Sequence, residues 1–129
     1  MLTAWAVDSY LDLKHNGVFD KKEYEQKLRP DVMLLKGYPN EPKFNNSKFW
    51  SVVDGPRGSS NVRGFKMKWH NIGNGKVQLR LPVGITTEAL LCAAYVKHTS
   101  SQEKRMLAKF KVYLQLIQQD RYTECGRMS

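Results

Sequence analysis

Two neighbouring stretches of alternating residues, VRGFKMKWH at positions 62–70 and KVQLRLPV at positions 76–83, decide the fold. In both stretches apolar residues alternate with basic or polar ones, and the side chains of a strand point alternately to its two faces. The segment 71–75 between them ends in Asn-Gly, a strong turn signal. The sequence therefore predicts a β-hairpin with one apolar face and one basic face.

The segment that follows the hairpin predicts a strand and a helix. Residues 89–96 are apolar on both faces and include small side chains at 92–94, which is typical of a central strand with a helix packed close to it. Ser100 and Glu103 have the spacing of a capping box. An apolar stripe follows, formed by Met106, Leu107, Phe110, Tyr113, Leu114 and Ile117. We therefore expect an amphipathic C-terminal helix over 100–119.

The N-terminal third predicts helices. Apolar residues recur at helical spacing from Thr3 to Leu13, and Asn16-Gly17 is a stop signal. Asp20 and Glu23 resemble a capping pair for a second helix, which Pro30 either ends or extends by a new turn. The segment 38–46, with two prolines and three asparagines, is predicted as a surface loop. Its far end is expected to be pinned to the core by Phe44, Phe49, Trp50, Val52 and Val53.

Together these segments predict a single α+β domain over residues 1–129. Its parts are a helical region (1–54), an antiparallel sheet of three to four strands (61–97) and the C-terminal helix (100–119). The sequence contains no apolar run of the roughly 20 residues that a bilayer span needs, and its N-terminus lacks the order of a signal peptide. We expect a cytoplasmic protein without a membrane partner.

Positive charge is concentrated in the C-terminal two-thirds of the chain. Residues 1–54 contain eight basic and eight acidic side chains, whereas 55–87 contain six basic and no acidic ones. Residues 97–129 add seven basic and three acidic side chains, and the net charge of the whole chain is +9. This segregation favours a phosphate-bearing partner over a charge that serves solubility alone.

The motifs of common enzymes are absent from the sequence. The three histidines share no metal-ligand spacing, and there is no nucleophile elbow, P-loop or dinucleotide-binding glycine motif. What remains is a basic sheet face with Lys66, Lys68 and His70 on one strand and Gln78 and Arg80 on the next. A second imidazole, His98, follows Lys97 at the end of the predicted last strand.

This set suits metal-free RNA cleavage, which needs a base for the 2′-OH, cations for the phosphorane and an acid for the leaving oxygen. Histidine serves either proton-transfer role, whereas lysine is a usable base only if neighbouring cations lower its pKa. Structural interpretations also remain open. The lysines could belong to an ordinary solvated face, His70 could cap the turn, and His98 could flank the last helix.

The architecture resembles the RelE/ParE superfamily of bacterial toxins, and within it the YafO-like and HigB-like mRNA interferases. The similar stretches are LKHNGV at 13–18, the run from 88 to 97 with the histidine that follows it, and the basic amphipathic helix from 103 to 117. One departure is that residues 1–3 lead directly into a helix, whereas family members often begin with a strand.

The resemblance implies a toxin that cleaves mRNA on the translating ribosome without metal or cofactor and is neutralised by a cognate antitoxin. By position it implies catalytic roles for Lys68 and Arg80, with His98 as the favoured general acid or base and His70 as the second candidate. The expected RNA-binding residues are Arg57, Arg63, Lys66, Lys76, Gln78, Lys97, Lys104 and Arg105.

Two other functions remain compatible with the sequence. One is a non-catalytic basic binding protein, either a ParE-like inhibitor of a DNA enzyme or a small phage or regulatory nucleic-acid-binding protein. This binder would need the lysines but not the imidazoles. The other is a structural interaction protein, whose affinity for its partner would not fall with salt.

Overall fold

The structure, a computed structural model, describes residues 1–54 and 62–127. The helical elements are α1 (Ala4–His15), α2 (Lys21–Glu23), a π-helical turn (Tyr24–Leu28), α3 (Arg29–Met33), 3₁₀ turns at Leu34–Gly37 and Pro42–Asn45, α4 (Ile72–Gly75) and α5 (Ser100–Gln118). The strands are β1 (Trp50–Asp54), β2 (Arg63–Asn71), β3 (Val77–Ile85), β4 (Ala89–Leu91) and β5 (Tyr95–Val96). The predicted α+β architecture, with helices, an antiparallel sheet and a C-terminal helix, is confirmed.

The sheet is antiparallel, with the order β1-β2-β3-β4, and β5 also pairs with β3. β4 pairs with residues 83–85 of β3 and β5 with residues 79–80, and between them Cys92 N donates to Pro82 O. β4 and β5 therefore act as one interrupted strand. The predicted hairpin is β2 and β3, joined by the short helix α4, in which Gly73 and Gly75 adopt positive φ angles.

The apolar face of the hairpin packs against the N-terminal helices. Phe65, Met67 and Trp69 of β2 lie in one buried cluster with Ala6 of α1 and Leu28 of the π-helical turn. Leu79, Leu81 and Val83 of β3 complete the same face. The apolar residues of the alternating stretches thus face this core, and the basic and polar residues between them lie on the opposite face of the sheet.

The opposite face is covered in part by α5. Gly64 and Gly84 are cross-strand partners there, and a Cβ atom built on Gly64 would lie 2.7 Å from Leu114 Cδ1. The absence of side chains at this pair lets α5 approach the sheet and bury Phe110 and Leu114 in a second apolar cluster. The sequence predicts close helix packing at the small residues 92–94, and of these Cys92 lies in this cluster.

Three expectations about the strands need correction. β1 begins at Trp50, so the sheet extends into the segment assigned to the helical region, and Val52 is 60% exposed instead of buried. The predicted central strand over 89–96 is instead the interrupted strand on the outer side of β3. This strand is apolar because both of its faces are covered: Leu91 lies in the first apolar cluster, and Leu90 and Cys92 lie in the cluster under α5. Its outer edge is covered by residues 2 and 3, since Leu2 pairs with Leu91 and the fully buried Thr3 donates its hydroxyl proton to Leu91 O.

The N-terminal helices begin where predicted. Thr3 caps α1 and Asp20 caps α2, each accepting a hydrogen bond from a backbone N–H of the first turn. Pro30 lies in the first turn of α3, so it starts a new turn instead of ending the helical segment. Within the described residues, no helix has the length and hydrophobicity that a membrane crossing requires.

Candidate functional site

Three polar side chains form a row across the sheet, on the face that α5 covers only in part. Lys68 of β2 is the register partner of Arg80 of β3, and Arg80 is in turn the partner of Tyr95 of β5. Directly opposed residues of antiparallel strands have Cβ atoms only about 5 Å apart. The sheet therefore brings together residues that are 12 and 15 positions apart in the sequence.

Glu103 of α5 lies above this row and contacts three cations. Its carboxylate oxygens are 3.4 Å from Lys66 Nζ, 3.8 Å from Arg80 Nε and 3.6 Å from Lys97 Nζ. The Tyr95 hydroxyl donates a hydrogen bond of 2.7 Å to the same carboxylate. We call Lys66, Lys68, Arg80, Tyr95, Lys97 and Glu103 the cationic cluster.

Arg80 is the most deeply buried member of the cluster, with 3% of its surface exposed. Nη1 donates to the carbonyls of Trp69 and Leu79, and Nη2 donates to Gln78 Oε1. In the described part of the chain, Arg80 Nε is the one buried side-chain nitrogen or oxygen without a hydrogen-bond partner. This nitrogen faces Glu103 Oε2 at 3.8 Å, so the two groups are paired by charge without a hydrogen bond.

The charge state of Glu103 follows from its neighbours. Burial raises its pKa, but the hydrogen bond from Tyr95 and the charges of Lys66 and Lys97 outweigh burial, so the net pKa lies below its ordinary value. Burial and the bond to Glu103 raise the pKa of Tyr95, which keeps its hydroxyl protonated. Glu103 is therefore an anion surrounded by three positive charges.

Sequence analysis assigned Glu103 to a different role, in the cap of α5. The helix is instead capped by Thr99, whose hydroxyl accepts from Gln102 N, while Gln102 Oε1 accepts from His98 N. Glu103 takes no part in this cap and lies on the buried side of α5 with Phe110, Leu114 and Ile117. Positions 103, 110, 114 and 117 follow helical spacing. A carboxylate on the apolar stripe of the predicted helix is therefore the sequence signal that could have identified Glu103 as part of the site.

The pKa of the Lys68 ammonium lies below the ordinary value of a lysine. Burial lowers its pKa, and the positive charges of Lys66 and Arg80 lower it further. Its ammonium donates a hydrogen bond of 2.6 Å to Ser47 O, so the side chain is directed toward the segment before β1.

The two histidines occupy different places. His70 is exposed near the end of β2, on the same face as Lys68, and its ring Nε2 lies 2.6 Å from Lys48 O. Because a carbonyl only accepts, this nitrogen carries the proton. His98 is exposed beside the cap of α5, and no hydrogen bond or ion pair of the described residues joins its ring to the cationic cluster.

Some of the other predicted RNA-binding residues lie at the cationic cluster, and the rest lie away from it. Lys66, Lys97 and Gln78 belong to the cluster or contact it directly. Arg63 is exposed at the opposite end of β2, with its guanidinium 5.2 Å from the centre of the Phe65 ring. Exposed positions away from the cluster's contacts are occupied by Lys76, Lys104 and Arg105. Arg57 lies outside the described residues.

No group of three or more His, Cys, Asp or Glu side chains in residues 1–54 and 62–127 has the arrangement to hold a metal ion. Comparison of the chain with protein-family models, with curated proteins and with solved structures found no match. The resemblance to RelE/ParE toxins therefore stays a prediction. The functional argument depends on the geometry of the cationic cluster.

Proposed function

We propose that this protein is a toxin of a type II toxin-antitoxin system that cleaves mRNA in the cytoplasm and so inhibits translation. The observation that carries the proposal is the excess of positive charge in the cationic cluster, where Lys66, Arg80 and Lys97 surround the single carboxylate of Glu103 and Lys68 lies across the strand from Arg80. A phosphodiester oxygen is the acceptor that this arrangement fits, because it is anionic and accepts several hydrogen bonds.

The excess of positive charge supports a ligand instead of a purely structural network. One carboxylate faces Lys66, Arg80 and Lys97, with Lys68 close enough to be affected by the same charges. Buried ion pairs are a poor source of stability, since the loss of hydration offsets much of the attraction. A cluster with more cations than anions is better suited to a substrate that brings negative charge.

Each group of the cluster has a role in the proposed reaction. Lys68, in its neutral form, takes the proton of the ribose 2′-OH, and the 2′-oxygen then forms a bond to phosphorus. Arg80, Lys66 and Lys97 stabilise the negative charge that builds up on the phosphorane oxygens. The bond to the 5′-oxygen breaks, leaving a 2′,3′-cyclic phosphate on one product and a 5′-hydroxyl on the other.

The acid that protonates the 5′-oxygen is assigned to His70 over His98. His70 lies two residues from Lys68 on the same strand face, a separation of about 7 Å. Its Nε2–H is bound to Lys48 O, so the imidazolium form would donate from Nδ1. His98, which the resemblance favours, lacks a described contact to the cluster, and replacing each histidine separately distinguishes the two assignments.

Glu103 and Tyr95 position the cations and take no part in proton transfer. Glu103 holds three positive charges together in the free protein and reduces their mutual repulsion. A substrate phosphate would take over part of this role. An antitoxin with an acidic segment would neutralise the toxin by covering the same surface.

The proposal is tested by adding the purified protein to a cell-free translation reaction. We expect protein synthesis to stop and the mRNA to carry new 5′-hydroxyl ends within coding sequences. Arg80→Ala should lose at least about a hundredfold in cleavage rate, as is typical when one donor to a developing anion is removed. Lys36→Ala serves as the control, because Lys36 is exposed and lines a different cleft.

Intact mRNA in the presence of soluble, folded wild-type protein would overturn the ribonuclease assignment. If synthesis stops while the mRNA stays intact, the alternative of a non-catalytic basic binding protein is favoured. Equal cleavage by wild type and Arg80→Ala would show that the cationic cluster is not the active site.

A further inference from the structure

A cleft of about 500 Å³ opens beside the cationic cluster, between the segment 43–49 and the end of β2. Its basic lining residues are Lys27, Lys43, Lys48, Lys68 and His70, and Asp31 is the acidic one. Lys68 belongs to both places, since it lines the cleft and is the cross-strand partner of Arg80. Lys68 is therefore the residue that links the cleft to the proposed active site.

The charges of the cleft are only partly neutralised within the protein. Asp31 accepts from Lys43 Nζ at 2.6 Å and from Trp69 Nε1 at 2.8 Å, and Lys27 lies 3.9 Å from Glu23. The exposed Lys48 ammonium has no ion-pair partner in residues 1–54 and 62–127. Its backbone is fixed by two contacts, Lys48 N to Asn46 Oδ1 and Lys48 O to the His70 ring.

We propose that this cleft binds the phosphate of a nucleotide next to the scissile one in a single-stranded RNA. The inference rests on the proposed function and extends it to three lysines of the N-terminal region, which is electrically neutral in the sequence. Folding places Lys48 and His70 in contact although they are 22 positions apart. The strand would pass from Arg80 across Lys68 to Lys48.

The chemistry of the cleft favours a phosphate over a nucleobase. The aromatic rings in its lining, Phe49 and Trp69, are 4% and 7% exposed, and Lys43 Nζ lies 4.5 Å from the centre of the Phe49 ring. A base needs an open aromatic surface for stacking, and these rings do not offer one. A phosphate needs cationic donors beside an open space, which the exposed Lys48 provides together with Lys27 and Lys43 of the same lining.

The test measures the binding of fully 2′-O-methylated RNA, which cannot be cleaved because its 2′-oxygen carries no proton. A dinucleotide has one phosphate and fills the active site alone, whereas a tetranucleotide reaches the cleft in either direction. We expect wild type to bind the tetranucleotide more tightly than the dinucleotide. Its plot of log affinity against log salt should be steeper by about 0.7 for each additional phosphate bound.

Lys48→Gln removes one phosphate contact, so the slope of log affinity against log salt for the tetranucleotide should fall by about 0.7. At low salt this variant should bind the tetranucleotide about fivefold more weakly than wild type, and the dinucleotide equally well. The matched control is Lys36→Gln, an exposed lysine of the 3₁₀ turn Leu34–Gly37 that lines another cleft, and it should match wild type with both oligonucleotides. The Lys48 side chain makes no described contact in the fold, so the variant is expected to stay folded.

Equal binding of the two oligonucleotides by wild type, or equal losses in Lys48→Gln and Lys36→Gln, would overturn the cleft assignment. The protein could bind the tetranucleotide more tightly than the dinucleotide only when Lys48 is present, and yet cleave no RNA. That result would confirm the phosphate site and overturn the ribonuclease proposal. Because the binding assay involves no cleavage, the two failures are distinguishable.

Discussion

The face of the sheet under α5 has two ends that are built differently. At one end Gly64 and Gly84 leave room for the helix, and Phe110 and Leu114 pack directly on the strands. At the other end the contact between helix and sheet runs through Glu103, which meets three cations and a tyrosine. The same helix is thus held by apolar packing at one end and by charge at the other.

The difference supports the proposed division of roles between the two ends. The apolar end is close-packed, and a void there would lower stability without any gain. At the charged end, a single ion pair would be enough to attach Glu103. The additional cations exceed what attachment of α5 requires. We therefore assign stability mainly to the apolar end, and the proposed ligand binding to the charged end.

The largest expected effect on stability comes from the apolar end. Phe110 is 1% exposed, and Phe110→Ala should lower the free energy of unfolding by about 3–5 kcal/mol, because it removes buried apolar surface and leaves a cavity. Urea denaturation measures the loss. Val112→Ala on the same helix, at a position 51% exposed, should change stability by less than about 0.5 kcal/mol. Similar losses in both variants would contradict the assignment.

An intermediate effect is expected from Glu103→Gln, which should lower the free energy of unfolding by about 2 kcal/mol at pH 7 because three cations lose their counter-charge. The folded pKa of Glu103 lies below its ordinary value of 4.5, so its contribution is complete above that value. The contribution is lost as the pH falls through the folded pKa.

Denaturation curves from pH 7 to pH 3 check this expectation. The difference in stability between wild type and Glu103→Gln should narrow as the pH falls below 4.5. A difference that stays constant over the whole range would show that the carboxylate charge does not stabilise the cluster.

The smallest effect is expected at the glycine pair. Gly64→Ala places a methyl group 2.7 Å from Leu114 Cδ1 and 3.0 Å from Phe110 Cε2, so both side chains must shift, at a cost of about 1 kcal/mol. In Gly84→Ala the nearest atom lies at 3.3 Å, and the cost should be smaller. Thermal denaturation ranks the two variants, and a larger loss at Gly84 would show that α5 lies differently on the sheet.

Much of the fold could be predicted from local patterns. The hairpin was predictable because residues 62–83 alternate and carry a turn signal, and α1 because Thr3 and Asn16-Gly17 mark its ends. β1 was missed, since Trp50 and its neighbours alternate too briefly to be distinguished from a loop anchored in the core. Residues 89–96 were placed in the centre of the sheet because contacts with residues 1–3 cannot be seen in the pattern.

The candidate site was predictable only in part. Lys66, Lys68 and Arg80 could be placed on one face by alternation alone. The roles of Glu103 and Tyr95 depend on how α5 lies over β5, which no local pattern determines. The resemblance favours His98, whereas the neighbouring Lys97 is the residue that contacts Glu103, and His98 N donates to Gln102 Oε1 at the start of α5.

The most direct test of the central claim is controlled expression of wild type, Arg80→Ala and His98→Ala in cells, with growth and the 5′ ends of cellular mRNA followed together. Our account predicts that wild type arrests growth and produces 5′-hydroxyl ends inside coding sequences. Arg80→Ala should do neither, while remaining folded by urea denaturation, and His98→Ala should keep most of the activity. Cleavage that survives Arg80→Ala, or growth arrest with intact mRNA, would contradict the account.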